Sequence, residues 1–171
     1  MNAQRLFFSC LLASLIASPI LADEITVEGV HLCCGKCVTG AKDALTDVDG
    51  VSRVRVNKTK ARVVFEVKNA KSAQSGLKSL AEAGFYGKPS IEGPKFEIDK
   101  TAKKDAVSVE NMHLCCGGCF RAAEKAAKSV EGVAEAKANG DDGTLQLTGS
   151  KISHAAVLKA LHEAGFHGTV K

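Results

Sequence analysis

Polar and apolar residues alternate over positions 25–31, beginning with Ile25 and Val27, and predict a half-buried first strand. After a short loop, Val38, Ala41, Leu45 and Val48 fall at helical spacing, so a helix is expected there, with Gly50 placed to end it. Ser52, Val54 and Val56 then alternate with Arg53, Arg55 and Asn57, the pattern of a strand with one face covered. A polar turn at 58–60 leads to Ala61, Val63, Phe65 and Val67, the inward face of a third strand that closes a hairpin. Ser72 stands where an N-cap is needed, ahead of a second helix carrying Ala73, Leu77 and Leu80 and stopped by Gly84. A last short strand passes through Ser90 and Ile91.

The whole pattern occurs twice. Val30-His31-Leu32-Cys33-Cys34-Gly35-Lys36-Cys37 recurs 82 positions later as Met112-His113-Leu114-Cys115-Cys116-Gly117-Gly118-Cys119, and Gly50-Val51 recurs at the same offset as Gly132-Val133. Glu82-Ala83-Gly84-Phe85 recurs 81 positions later as Glu163-Ala164-Gly165-Phe166, so the second copy has lost one residue, in the turn at 139–143 or just beyond. Phe120, Ala123, Ala127 and Val130 repeat the first helix. Leu158 and Leu161 repeat the second, Ser153 its cap, Gly165 its stop, and Thr169-Val170 the closing strand. Units of about 70 residues are too long for solenoid repeats and point to a tandem of small domains. The order predicts an α+β fold: two tandem ferredoxin-like βαββαβ domains, each an antiparallel sheet with two helices on one face.

The expected division is 23–91 for the first domain, 92–105 for a linker, and 106–171 for the second domain. The linker holds Gly93, Pro94 and eight charged residues, though 95–99 alternates enough to extend a strand. Ala134, Ala136 and Ala138 stand where the first copy has Ser52, Val54 and Val56, which predicts a smaller, less stable second core.

Positions 1–22 have another composition. Arg5 is followed by an apolar run broken only by serines, Cys10 and Pro19, and Ala22 precedes the acidic pair Asp23 and Glu24. The segment reads as a signal peptide cut after Ala22, too short to span a bilayer, and implies a soluble periplasmic or secreted protein. Removing Arg5 and Cys10 leaves 22 basic against 19 acidic residues and six cysteines. One tyrosine, no tryptophan and no basic tract argue against a nucleic-acid partner.

The six cysteines sit just ahead of, or in, the first helix of each copy. A thiol at a helix N-terminus faces unpaired amides and the positive end of the helix dipole, which favour the thiolate that binds metal. Cys33, Cys34 and Cys37 form one expected donor set and Cys115, Cys116 and Cys119 the other, with Gly35 and Gly117 expected to let the loops wrap. Thiolates select soft ions such as Cu(I) or Zn(II). Disulfide staples are the competing reading in an oxidising compartment, but three cysteines on one loop cannot pair fully within a copy. His31 and His113, two residues before the first cysteine of each set, would complete a Cys3His tetrahedron; the bland reading is a solvated strand residue. His162 and His167 occur once each and read as surface residues, while Phe85 and Phe166 read as lids on the sulfurs.

These residues resemble the heavy-metal-associated domains of copper chaperones, metal-pumping ATPase tails and periplasmic mercuric-ion-binding proteins. The resemblance covers nearly all of both units and rests on the x-Cys-x-x-Cys loops (Cys34 and Cys37; Cys116 and Cys119), the Gly-Val after the first helix and the Ala-Gly-Phe before the last strand. It adds Hg(II) to the candidate ions and implies a carrier, chaperone or buffer rather than an enzyme, with a metal-transporting membrane protein as partner. The chain departs from the family's usual Gly-Met-Thr or Gly-Met-Asp before the first cysteine by placing there His31 or His113, a leucine, and an added cysteine, Cys33 or Cys115. Two other functions compete: a thiol-disulfide oxidoreductase using Cys-Gly-x-Cys, and an adaptor in which metal bridges the loops or two chains, so that the protein is a monomer or a metal-bridged dimer.

Overall fold

In the computed structural model, which describes residues 23–171, each unit folds around one sheet; the expected signal segment lies outside the described residues. The first unit runs β1 (Asp23–Glu28), α1 (Gly35–Thr46), β2 (Val51–Asn57), β3 (Arg62–Val67), α2 (Ala70–Glu82) and β4 (Lys88–Pro89). The second runs β5 (Lys103–Glu110), α3 (Gly117–Lys128), β6 (Val133–Asn139), β7 (Thr144–Ser153), α4 (His154–Glu163) and β8 (Thr169–Val170). Strand orders β2-β3-β1-β4 and β6-β7-β5-β8, antiparallel throughout, give the expected ferredoxin-like arrangement twice. No helix among the described residues is long and apolar enough to cross a membrane.

Periodicity places the cores. Ile25, Val27, Val63, Phe65 and Val67 are buried on the sheet, against Cys37, Ala41 and Leu45 of α1 and Ala73, Leu77 and Leu80 of α2. Each large side chain so covered contributes about 1.5–3 kcal/mol. Cys37 opens the buried stripe of α1, as Cys119 does with Ala123 and Ala127 on α3, so one sulfur of each loop is fixed by core packing.

Several boundaries differ from the pattern for identifiable reasons. The first strand ends at Glu28 rather than residue 31, because Gly29 (φ 76°) turns into the left-handed region, and Asn111 (φ 60°) does the same in the second copy. In β2, Val51, Val54 and Val56 are half-buried while Ser52 is exposed: the register shifts between Ser52 and Arg55, where Arg53 has φ 48°, and such a bulge changes the phase of alternation. Asn69, not Ser72, caps α2, its Oδ1 accepting from the Ser72 amide at 2.9 Å; Ser153 caps α4 as expected. The fourth strand of the first unit lies at Lys88–Pro89, ahead of Ser90 and Ile91. Strand β5 begins at Lys103, inside the expected linker, and 95–99 pairs with no strand. Its alternation instead half-buries Phe96 and Ile98.

At one place the two cores divide volume differently between sheet and helix. Phe65 corresponds to Leu147 and Gly76 to Val157, and both Leu147 and Val157 are buried. A Cβ on Gly76 would lie 2.9 Å from Phe65 Cε2 and 3.3 Å from Leu45 Cδ2, so the larger aromatic of one unit is matched by a glycine on α2, and the smaller leucine of the other by a valine on α4. Gly76→Val is therefore expected to destabilise the protein by roughly 1–3 kcal/mol despite its better helix propensity. Denaturant titration checks this: the double variant F65L/G76V should recover most of the loss, and additive losses would refute the pairing.

Candidate metal centre

Both cysteine loops enter their helices in extended backbone, with Cys34 (φ −144°) capping α1 and Cys116 (φ −164°) capping α3, and neither first turn carries an acidic residue. The amides there are left to the sulfurs. Gly35 and Gly117 have no positive φ, and a Cβ on Gly35 would meet open space, so the loops wrap without needing glycine there.

The two units dock so that the loops face each other. Phe85 and Phe166 pair as an isolated antiparallel bridge across the seam. The Tyr86 amide donates to the Gly165 carbonyl at 3.1 Å and the His167 amide to the Gly84 carbonyl at 3.0 Å, a reciprocal pair joined by the His31 amide donating to Gly165 at 3.2 Å. Gly84 (φ 85°) and Gly165 (φ 86°) are needed twice over here: beyond stopping α2 and α4, they press against the other unit's histidine loop, where a Cβ would collide with the backbone nitrogen of His113 or His31.

This docking gathers the six free sulfurs of the described residues. Cys33 Sγ lies 3.3 Å from Cys116 Sγ and 3.4 Å from Cys119 Sγ, and Cys115 Sγ lies 3.4 Å from both Cys34 Sγ and Cys37 Sγ. Within the units the spacing is wider: 3.7 Å for Cys33–Cys37, Cys34–Cys37 and Cys115–Cys119, and 3.9 Å for Cys116–Cys119. Cys37 and Cys119 meet at the centre, 3.7 Å apart and fully buried, and Cys33 is exposed. All these separations far exceed the ~2.05 Å of a disulfide. Four sulfurs around one ion with bonds of about 2.3 Å stand about 3.8 Å apart, so the spacing suits shared thiolate ligation.

His31 and His113 are not solvated strand residues. Each has a buried Nε2 with no hydrogen-bond partner. A ring nitrogen of His31 lies within 4.8 Å of the Cys33 and Cys119 sulfurs, and one of His113 within 4.8 Å of those of Cys37 and Cys115. Phe166 stacks on His31 and Phe85 on His113, ring centroids 4.3 Å apart in both, so the phenylalanines cover the histidines of the opposite unit. Gly40 makes room for one of them, since a Cβ there would lie 2.8 Å from His113 Cε1. Nothing in the repeat pattern marks Gly40, whose counterpart is Ala122.

The site's electrostatics divide the thiols. The Cys119 amide, then the Cys33 thiol, facing Cys116 Sγ hold it down at about 6, without closing a full capping hydrogen bond. Burial works against Cys37, but the Cys34 amide and the surrounding thiols bring it below the ordinary thiol value. Burial pushes Cys33, Cys115 and Cys119 up. Burial also lowers both histidines, His31 with a further push from His113, leaving neutral imidazoles able to ligate. Six adjacent anions would repel one another, so protons stay on part of the cluster until a cation replaces them.

His162 and His167 are the other departure from expectation: they are half-buried, not surface residues. His162 Nε2 lies 2.8 Å from His167 Nδ1, His162 stacks on Tyr86 of the first unit (centroids 3.5 Å, planes 6° apart), and Phe96 of the connecting segment closes on His167 at 4.1 Å. An aromatic clasp thus locks the seam beside the sulfur cluster.

Residues 106–167 match the heavy-metal-associated domain family. A copper-transporting ATPase of Rhizobium meliloti is 29% identical over 149 residues, covering 86% of this chain; the chain spans only 16% of that relative's length. Among solved structures, oxidised MerP from Ralstonia metallidurans is 26% identical, with a TM-score of 0.37 over 41% of this chain and 99% of its own. The N-terminal soluble domains of Bacillus subtilis CopA align over 89% of this chain and 97% of theirs, at 18% identity and a TM-score of 0.33.

Proposed function

We propose that this chain is a tandem of heavy-metal-associated domains that binds a soft metal ion through cysteine, an exported carrier that captures a thiophilic ion and passes it to a metal-transporting membrane protein; the family match over 106–167 and its repeat in the first unit support this. The observation that carries the reading is the convergence of six free sulfurs and two unpartnered buried imidazole nitrogens at one seam, with the exposed Cys33 as the point of exchange. Likeness to a copper-transporting ATPase favours Cu(I) as cargo, and Zn(II) and Hg(II) share the donor preference. Transfer would proceed by ligand exchange, an acceptor thiolate replacing Cys33 or Cys116 at the rim before the central sulfurs let go. The apolar run at 6–21 supports export.

Anaerobic titration of the reduced protein with Cu(I) against a chromophoric chelator tests this. Tight binding is expected in the wild type and its loss in C34S/C37S/C116S/C119S; full retention in that variant would sink the proposal.

A further inference from the structure

The repeat implies that each loop holds its own ion, but the sulfur geometry divides the donors differently. We infer that the seam holds two ions, each bound by the Cys-x-x-Cys pair of one unit together with the added cysteine and the histidine of the other. One site would use Cys116 and Cys119 with Cys33 and His31; its twin would use Cys34 and Cys37 with Cys115 and His113. The ligand is a thiophilic ion of the class that accepts three thiolates with or without one imidazole. The inference rests on the metal-binding reading above and assigns its donors.

Three observations carry it. The added cysteine is nearer to the other unit's pair than to its own: Cys33 is 3.3 and 3.4 Å from Cys116 and Cys119 but 3.7 Å from Cys37, and Cys115 is 3.4 Å from Cys34 and Cys37 but 3.7 Å from Cys119. Each histidine groups with the same crossed set, His31 with Cys33 and Cys119, His113 with Cys37 and Cys115. The two sets share no residue, use each of the six described cysteines once, and correspond through the repeat, Cys33 answering Cys115 and Cys116 and Cys119 answering Cys34 and Cys37. Two other sets also lie within 4.8 Å: the uncrossed Cys33, Cys34 and Cys37, whose nearest Cys33 contact is the longer one, and Cys34, Cys115 and Cys116, whose 3.4 Å contact, Cys34 to Cys115, is itself a crossed pair. A triangle of sulfurs at 3.3–3.9 Å holds an ion at bonds of about 2.3 Å with the ion slightly off its plane. The ring nitrogens that bring His31 and His113 within 4.8 Å of two sulfurs of their sets would give that displaced ion a fourth donor.

Crossing also explains the departure from the usual loop. A Cys-x-x-Cys pair alone offers two thiolates, and the cysteine inserted ahead of it serves the opposite pair.

Two triple variants make reciprocal predictions. In C33S/C116S/C119S the crossed assignment keeps one complete site, and one Cu(I) should bind with wild-type affinity. In C33S/C34S/C37S it leaves neither, although one intact loop remains, and affinity should fall on the order of 100-fold. Uncrossed loops give the opposite ranking. Each variant loses one fully buried cysteine, so comparable circular dichroism and melting profiles control for folding, and native mass spectrometry counts the ions. Equal affinities, the reversed ranking, or a folded C33S/C116S/C119S that binds nothing would each overturn the crossing. Failure of the wild type to bind any thiophilic ion would instead remove the functional reading on which it rests.

Discussion

Replacing Gly84 or Gly165 by alanine is expected to separate the two units and lower affinity for a thiophilic ion on the order of 100-fold, while each unit keeps its own helices and strands. Both glycines sit at φ near 85°, where an alanine costs about 1–2 kcal/mol, but that cost is local. The larger effect comes from the collision of the new Cβ with the opposite histidine loop: His113 N and the Met112 carbonyl carbon at 2.7 Å for Gly84, His31 N and the Gly29 carbonyl oxygen at 2.5 Å for Gly165. Backbone on both sides cannot step aside as a flexible side chain would, so the seam must open. Gly132→Ala is the matched control: Gly132 also has a positive φ (90°), but its Cβ would strike Ser150 of its own unit. Small-angle scattering should show expansion for G84A and G165A and none for G132A. Equal compactness of all three would count against the docking described.

The second large effect concerns acid. Burial depresses His167 to about 4, and burial together with the nearby His167 brings His162 to about 4 as well. Both rings are therefore neutral in the folded protein at neutral pH, one donating to the other across 2.8 Å. In the unfolded chain they titrate near 6.5, so between about pH 6.5 and 4 the unfolded state binds more protons and stability falls as pH falls. The contribution is complete above about pH 6.5 and lost as pH drops through 4. For two half-buried groups it amounts to a few kcal/mol at most after screening. In the reduced, metal-free protein the melting temperature should drop by roughly 5 °C or more across that window. H162Q/H167Q should flatten the dependence, leaving the slope contributed by His31, His113 and His154, which burial also lowers. An unchanged profile in the double variant would show that the clasp does not set it.

How much of this could be read from residue order depends on the range over which the causes act. Element order and class follow from local periodicity, and the repeat made each reading twice, so Leu45 and Ala127 or Ser153 fell where spacing put them. Boundaries moved where a single backbone conformation overrode the pattern: Gly29 and Asn111 ending their strands, Arg53 shifting the phase of β2, Asn69 capping ahead of Ser72. The eight candidate ligands were visible as a motif, and the structure brings all eight together. Their partition was not visible, because whether Cys33 meets Cys37 or Cys116 depends on how two folded units meet, which no window of one unit encodes. The clearest missed signal was the second role of Ala-Gly-Phe: a helix stop by its glycine, it is also the surface on which the units dock.

Covalent connection matters to such a seam. If the two halves were free in solution, assembling donors from both would depend on their meeting, and dilution would disperse them. The ten or so residues between Ile91 and Lys103 hold them at an effective concentration in the millimolar range, so assembly becomes a property of a single molecule and is indifferent to how scarce that molecule is. Severing the segment would hand the site's occupancy over to mass action.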